Sequence, residues 1–280
     1  MSFEHRAKSE PETENPTNAF EVYGVGVRVS AGPLDFRRRV ERALELQLRS
    51  IGRRIGPGEA EYEFRIEKIA PGIYRIEGPG GADSFAGVDE KTIVGVFLSR
   101  LRLVIAERAA GVICVHAGVV GWKGKGLVVP ARTFAGKTTL IKELTNLGAI
   151  YYSDDCAVLD ENGLVHPFPK TLSLRGLAGK FEQVEYPVEH FGGVRGRLPI
   201  PVKMILLTGY REKAPWRPRR LSVGQGVMEL LSHTIPIRYN PEFALKVLNN
   251  ALNRAIIVKM KRGEAKDFAV RLLKYFELNA

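Results

Sequence analysis

The sequence predicts an α/β core over residues 110–280, preceded by a smaller α+β region over residues 19–109. Three observations carry that expectation. From Gly111 onward the strand-like runs VICVHAGVVGW and GLVVPA lead into the helix GKTTLIKELTNLG, closed by Gly148, and then into the strand-like IYYSDDCAVLD. The largely apolar VKMILLTGY, Val202 to Tyr210, reads as a central strand buried on both faces. SVGQGVMELLSHT, PEFALKVLNNALNR and EAKDFAVRLLKYFEL then read as helices, with the strand AIIVKMK between the last two.

Ahead of that core, residues 1–18 are polar, contain proline and lack periodicity, which predicts a flexible tail. FEVYGVGVRV, Phe20 to Val29, alternates like one strand. Asp35 is placed to cap an arginine-rich helix that Gly52 ends. Phe36, Val40, Ala43, Leu44 and Ile51 recur near helical spacing there, so the arginines form its solvated face. YEFRIEKI and GIYRIEG read as a strand pair turning at Ala70-Pro71, and the apolar spacing from Lys91 to Arg108 is helical. In the core, Pro215 and Pro218 interrupt the basic stretch Tyr210 to Arg220, which predicts a loop free to serve as a binding surface.

Composition narrows the function classes. No apolar run among the 280 residues is long enough to cross a bilayer, and the first residues have no apolar signal core, so no membrane partner is expected. Cys114 and Cys156 lie in apolar contexts without metal-ligand spacing, which fits buried thiols in a reduced cytoplasm. The net charge of +11 invites polyanionic partners. No recognised nucleic-acid motif accompanies the charge, so nucleic acid is not the expected ligand.

The stretch VVPARTFAGKTTLIKEL follows the nucleotide-binding pattern G-x-x-x-x-G-K-[ST] except that Ala131 takes the first glycine position. A phosphate site needs a strand that stops sharply, amides aimed inward at a helix start, a cation and a metal-binding hydroxyl. Pro130 halts the strand, Gly136 permits close backbone approach, Lys137 offers the cation and Thr138 the hydroxyl for Mg²⁺. Ala135, Gly136, Lys137, Thr138 and Thr139 are therefore the candidate nucleotide-binding residues. Ala131 carries a steric cost only if its φ must be positive, and Ala131→Gly is expected to leave binding unchanged or improve it. The following YYSDD places Asp154 and Asp155 where one carboxylate can meet a metal and the other can take a proton from an attacking hydroxyl. The duller alternative is that either acid caps a turn.

The segment from Val115 to about Gly176 resembles the catalytic core of the HPr kinase/phosphorylase family, and more specifically HPr-kinase-like proteins without the usual N-terminal domain. The resemblance lies in a histidine on the strand before the loop, the loop itself, YxSDD, the VHPFP turn and LSLRG. It implies the P-loop kinase fold shared with phosphoenolpyruvate carboxykinase, with ATP or another nucleoside triphosphate and Mg²⁺ as cofactors. Lys137 would hold the β/γ-phosphates, and Arg175 would touch phosphate. Asp154 and Asp155 would divide general-base and metal duties in an order left open, with Thr138 and Asp155 as the candidate metal pair. His116 matches an active-site histidine, against the alternative of a satisfied core histidine. The chain departs from the family at Ala131 and at Ser173, where a metal-binding glutamate is expected, and Glu182 or Glu185 are possible substitutes. The implied activity is nucleotide-dependent phosphorylation of a serine-type hydroxyl on a protein, peptide or small molecule, with a homo-oligomer possible. The alternative is a non-catalytic nucleotide-binding regulator, and a third reading, resting on charge alone, is a nucleic-acid-associated NTPase.

Overall fold

A computed structural model describes residues 18–131, 135–175 and 183–280. Most of the expected N-terminal tail therefore lies outside the described residues, as do Arg132 to Phe134 of the GKT loop and Glu182. The chain is a mixed α/β protein with several sheets, and it divides into two units. The first is drawn from Met1–Glu21, Gly26–Leu44 and Arg53–Ser99, the second from Val22–Val25, Glu45–Gly52 and Arg100–Ala280.

The first unit is built on β1 (Asn18–Val22), β2 (Val25–Gly32), α1 (Leu34–Leu48), β3 (Arg53–Arg54), β4 (Tyr62–Ala70), β5 (Ile73–Gly78), β6 (Gly81–Ala86) and α2 (Glu90–Arg108), with the ends of β1, α1 and α2 belonging to the second. Its sheet runs β3-β1-β2-β4-β5-β6. The single strand expected over Phe20 to Val29 is two strands, because Tyr23 (φ 50°) and Gly24 (φ 76°) are both left-handed and turn the chain sharply. Phe36, Val40 and Leu44 are buried, as the helical spacing of α1 predicts. Phe36 packs on Tyr74 and Phe97 on Phe64, which joins the helices to the inner face of the sheet.

The second unit contains β7 (Val112–Val115), β8 (Ala117–Trp122), β9 (Lys125–Pro130), α3 (Lys137–Asn146), β10 (Ile150–Ser153), β11 (Ala157–Asp160), β12 (Leu164–His166), β13 (Leu172–Arg175), β14 (Gln183–Tyr186), β15 (Ile200–Tyr210), β16 (Arg219–Arg220), α4 (Val223–Leu231), α5 (Pro241–Asn253), β17 (Ile256–Arg262) and α6 (Ala265–Asn279). Strand β15 is the hub. It pairs in parallel with β9 and β17, and antiparallel with β12. Its side chains alternate between two cores: Val202, Ile205 and Leu207 pack with residues of α4 and α5, and Met204 and Leu206 with residues of α3 and α6. This is why its sequence is largely apolar. Cys114 and Cys156 are buried free thiols. No described helix is long and apolar enough to cross a membrane.

Two expectations change here. Neither VICVHAGVVGW nor IYYSDDCAVLD is a single strand. The first breaks at His116 and the second at Asp154-Asp155, and β10 then pairs with β8 whereas β11 pairs with β7. The basic stretch Tyr210 to Arg220 is also less free than its prolines suggest. Trp216 packs against Phe268 and Tyr275 under Arg271, and Arg219 and Arg220 pair with β17.

Candidate functional site

The two strand breaks lie side by side, and they build the site. At the first, the His116 amide donates to the His233 carbonyl at 2.7 Å, and the Ala117 amide to the Asp155 carbonyl at 3.2 Å. At the second, the Ser153 hydroxyl accepts from the amides of Asp155 (3.2 Å) and Cys156 (3.0 Å), a local turn that competes with strand pairing. Leaving the ladder aims the side chains of His116, Asp154 and Asp155 toward the start of α3.

That helix start is the GKT loop. Strand β9 is buried up to Pro130. Ala131 is buried as well and is not among the described non-glycine residues of positive φ, so the missing glycine meets no such strain there. Gly136 caps α3 with φ 76° and ψ 22° and without a side-chain cap, so no side chain at the cap occupies the first amides of the helix. Close approach also matters at Gly118 on β8, where an added Cβ would lie 2.6 Å from Ile141 Cγ1 and 3.2 Å from Lys137 Cγ. The glycine lets α3 sit directly on the strand.

The Thr138 hydroxyl donates to Asp154 Oδ2 at 2.7 Å. Asp154 is 4% exposed, and its buried Oδ1 has no hydrogen-bond partner among the described residues. Burial raises its carboxyl to about 6, with the Thr138 hydrogen bond and the Lys137 and Lys170 charges pulling the other way. Lys137 Nζ lies 3.1 Å from His116 Nε2, and His116 Nδ1 lies 3.4 Å from Asp155 Oδ1. Burial first, and Lys137 second, lower the His116 pKa against the pull of Asp155, which favours a neutral ring. A neutral ring accepts from the Lys137 ammonium at Nε2 and carries its proton on Nδ1, facing Asp155. Burial also lowers the Lys137 pKa, opposed by Asp154 and Asp155.

Asp155 is the contrasting acid. Burial alone would raise its pKa, but Lys170, Arg102, His116 and Lys137 together hold it below the usual carboxylate range. Its Oδ2 is 3.7 Å from both Arg102 Nε and Lys170 Nζ. The structure therefore sets Asp154, not Asp155, against Thr138. Thr139 is exposed on the first turn of α3, and Arg175 ends β13 with its side chain outside the described residues. Ser173 faces Glu185 across the β13–β14 pair, so a carboxylate stands opposite the position where the family resemblance leads one to expect a glutamate. Beside the loop, an open groove of about 590 Å³ is lined by Pro130, Ala131, Ala135, Thr208, His233 and Lys261, at the ends of β9, β15 and β17.

Three basic residues at the site escape the sequence reading. Arg102 is buried on α2 and donates through Nη1 to Gln47 Oε1 at 3.0 Å; in sequence it is one arginine in an apolar helix. Lys170 follows the VHPFP turn directly, so its proximity to the motif was the available signal. Arg262 ends β17 at an inward position of the two-residue alternation, a charged residue where an apolar one belongs.

No family model matches this chain, and no curated protein is significantly similar to it. Among solved structures it is similar to the HPr(Ser) kinase/phosphatase from Coxiella burnetii, with 15% identity and a TM-score of 0.38 over 59% of this chain and 96% of that one. The likeness is distant.

Proposed function

We propose that the chain is a nucleotide-dependent phosphotransferase with a P-loop kinase core, moving the γ-phosphoryl group of ATP or a related triphosphate to a serine-type hydroxyl. One observation carries this reading: two adjacent carboxylates meet the GKT helix in different surroundings. Asp154 is buried against the Thr138 hydroxyl, and Asp155 is kept ionised by a ring of cations.

The residues fit a bound Mg²⁺. The unpartnered Asp154 Oδ1 and the Thr138 hydroxyl are hard oxygen donors side by side. Among the described residues no cluster of three or more His, Cys, Asp or Glu side chains is placed to hold a metal. Mg²⁺ needs none, since it takes one or two protein oxygens and completes its shell with phosphate and water. When bound, it neutralises charge on the phosphate oxygens.

The protein groups then divide the work. Lys137 and the first amides of α3 bind the terminal phosphates and orient them. Asp155, ionised and partly exposed, accepts the acceptor hydroxyl proton as the new O–P bond forms and the bond from Pγ to the β–γ bridging oxygen breaks. His116 sets its Nδ1 3.4 Å from Asp155 and orients it, and Lys137 meets the other ring nitrogen.

The test is transfer of label from γ-labelled nucleotide to serine-bearing acceptors drawn from the products of neighbouring genes, with a hydrolysis control. Lys137→Ala should remove most nucleotide affinity, and Asp155→Asn should abolish transfer with binding largely kept. Wild-type binding without transfer or hydrolysis would favour the regulator reading, and equal nucleotide affinity in wild type and Lys137→Ala would sink the site assignment itself.

A further inference from the structure

Arg262 takes an inward position on β17, in step with Val258 and Met260. An arginine seldom occupies such a position without a carboxylate beside it. Arg262 is 3% exposed, yet among the described residues its partners are backbone carbonyls. Nη1 donates to the Gly263 carbonyl at 3.1 Å. Nη2 donates to the Gly136 carbonyl at 2.8 Å and, at longer range, to that of Ala135 at 3.4 Å. Nε is buried with no hydrogen-bond partner among the described residues. The Tyr210 ring lies 5.6 Å from the guanidinium carbon, and the Tyr210 hydroxyl donates to Glu264 at 2.7 Å.

The contact requires Gly136 for a second reason besides its positive φ. A Cβ there would come within 2.1 Å of Arg262 Nη2. The Gly136 carbonyl also accepts the Leu140 amide at 3.2 Å, so one oxygen ties the loop both to α3 and to β17.

We infer that Arg262 is a positioning residue for the GKT loop, setting the peptide planes that present the amides of Gly136 and Lys137 to an anion. In a trans peptide the carbonyl of one residue and the amide of the next point in opposite directions. Holding the Ala135 and Gly136 carbonyls toward Arg262 therefore turns the amides of Gly136 and Lys137 away from it. The guanidinium adds a positive charge behind those amides; among the described residues its hydrogen bonds go to carbonyls, with Glu264 as the neighbouring acid, and the loop favours a polyanion such as a nucleoside polyphosphate. The polyphosphate part of this inference rests on the phosphotransferase reading; the loop-positioning part does not.

The experiment therefore has two readouts, using Arg262→Met and Arg262→Lys in the full chain. Hydrogen exchange without ligand reads the loop alone: Arg262→Met should speed exchange at the amides of Gly136 and Lys137 and leave the strands β9 and β15 unaffected. Calorimetric titration with Mg-ATP and Mg-GTP reads the consequence. Arg262→Met should weaken binding by about tenfold or more, the scale of a charge-assisted hydrogen bond to the loop, and Arg262→Lys should recover part of it. If Arg262→Met does not fold, the comparison of Arg262→Lys with wild type carries the test, because lysine keeps the charge but loses the planar fork. Unaltered loop exchange together with wild-type affinity would overturn the inference. If wild type binds neither nucleotide while loop exchange still responds to Arg262→Met, the positioning role stands and the phosphotransferase reading fails.

Discussion

Asp154 and Asp155 are neighbours in sequence with opposite electrostatic fates, and the difference is open to measurement. Burial raises Asp154 to about 6, so in the folded chain it holds its proton at pH values where the unfolded chain has released it. Its contribution to stability is complete at pH values below the ordinary carboxylate range and is lost as pH rises through about 6. Asp154→Asn removes this dependence. In the ligand-free protein, the stability of Asp154→Asn relative to wild type should grow by on the order of 2–3 kcal/mol between about pH 4 and pH 7, read by denaturant titration at each pH. A difference that stays flat across that range would mean Asp154 is ionised in the fold throughout.

At the scale of elements, the site depends on how closely α3 approaches β8. Ile141, fully buried, leaves no room for a side chain at Gly118. Gly118→Ala should destabilise the fold by about 1–3 kcal/mol through overpacking. Because the added carbon also meets Lys137, nucleotide affinity should fall along with stability. Unfolding curves and titrations that leave both unchanged would show that α3 can give way. The stretch Tyr210 to Arg220 divides by the same logic. Leu221 donates to the Ile257 carbonyl, and Arg219 and Arg220 pair with β17, whereas Glu212 and Lys213 are exposed. Slow amide exchange should be found at the two ends, Tyr210 to Arg211 and Arg219 to Leu221, and uniformly fast exchange across the whole stretch would contradict the pairing.

For the whole molecule, the excess of 42 Lys and Arg over 31 Asp and Glu leaves a net charge of +11, which attracts any polyanion at low ionic strength. That attraction is long-range and screened, unlike the contacts at Lys137 and the α3 amides. Retention on DNA or heparin should therefore be lost at moderate salt, with Mg-ATP binding reduced far less. Sequence-independent DNA binding that survives moderate salt would revive the nucleic-acid reading.

Periodicity determined much of this protein. The largely apolar run from Val202 to Tyr210 pointed to a central strand, and the helical spacing of Phe36, Val40 and Leu44 to a one-sided helix. Those patterns are local, so they are legible without the fold. The strand–loop–helix order around Gly136, Lys137 and Thr138 was legible for the same reason, since a turn of positive φ followed by a helix start is a local event. What only the tertiary structure decided is where separate segments meet. No spacing distinguishes Asp154 from Asp155; burial against Thr138, and the cations Lys170, Arg102 and Lys137 around its neighbour, do. The breaks at His116 and Asp154-Asp155 arise because the chain steps from one set of strand partners to another, which alternation within one strand cannot report. Arg102, Lys170 and Arg262 come from an α-helix, a turn and the end of the last strand, and only long-range packing brings the first two to Asp155 and the third to Gly136.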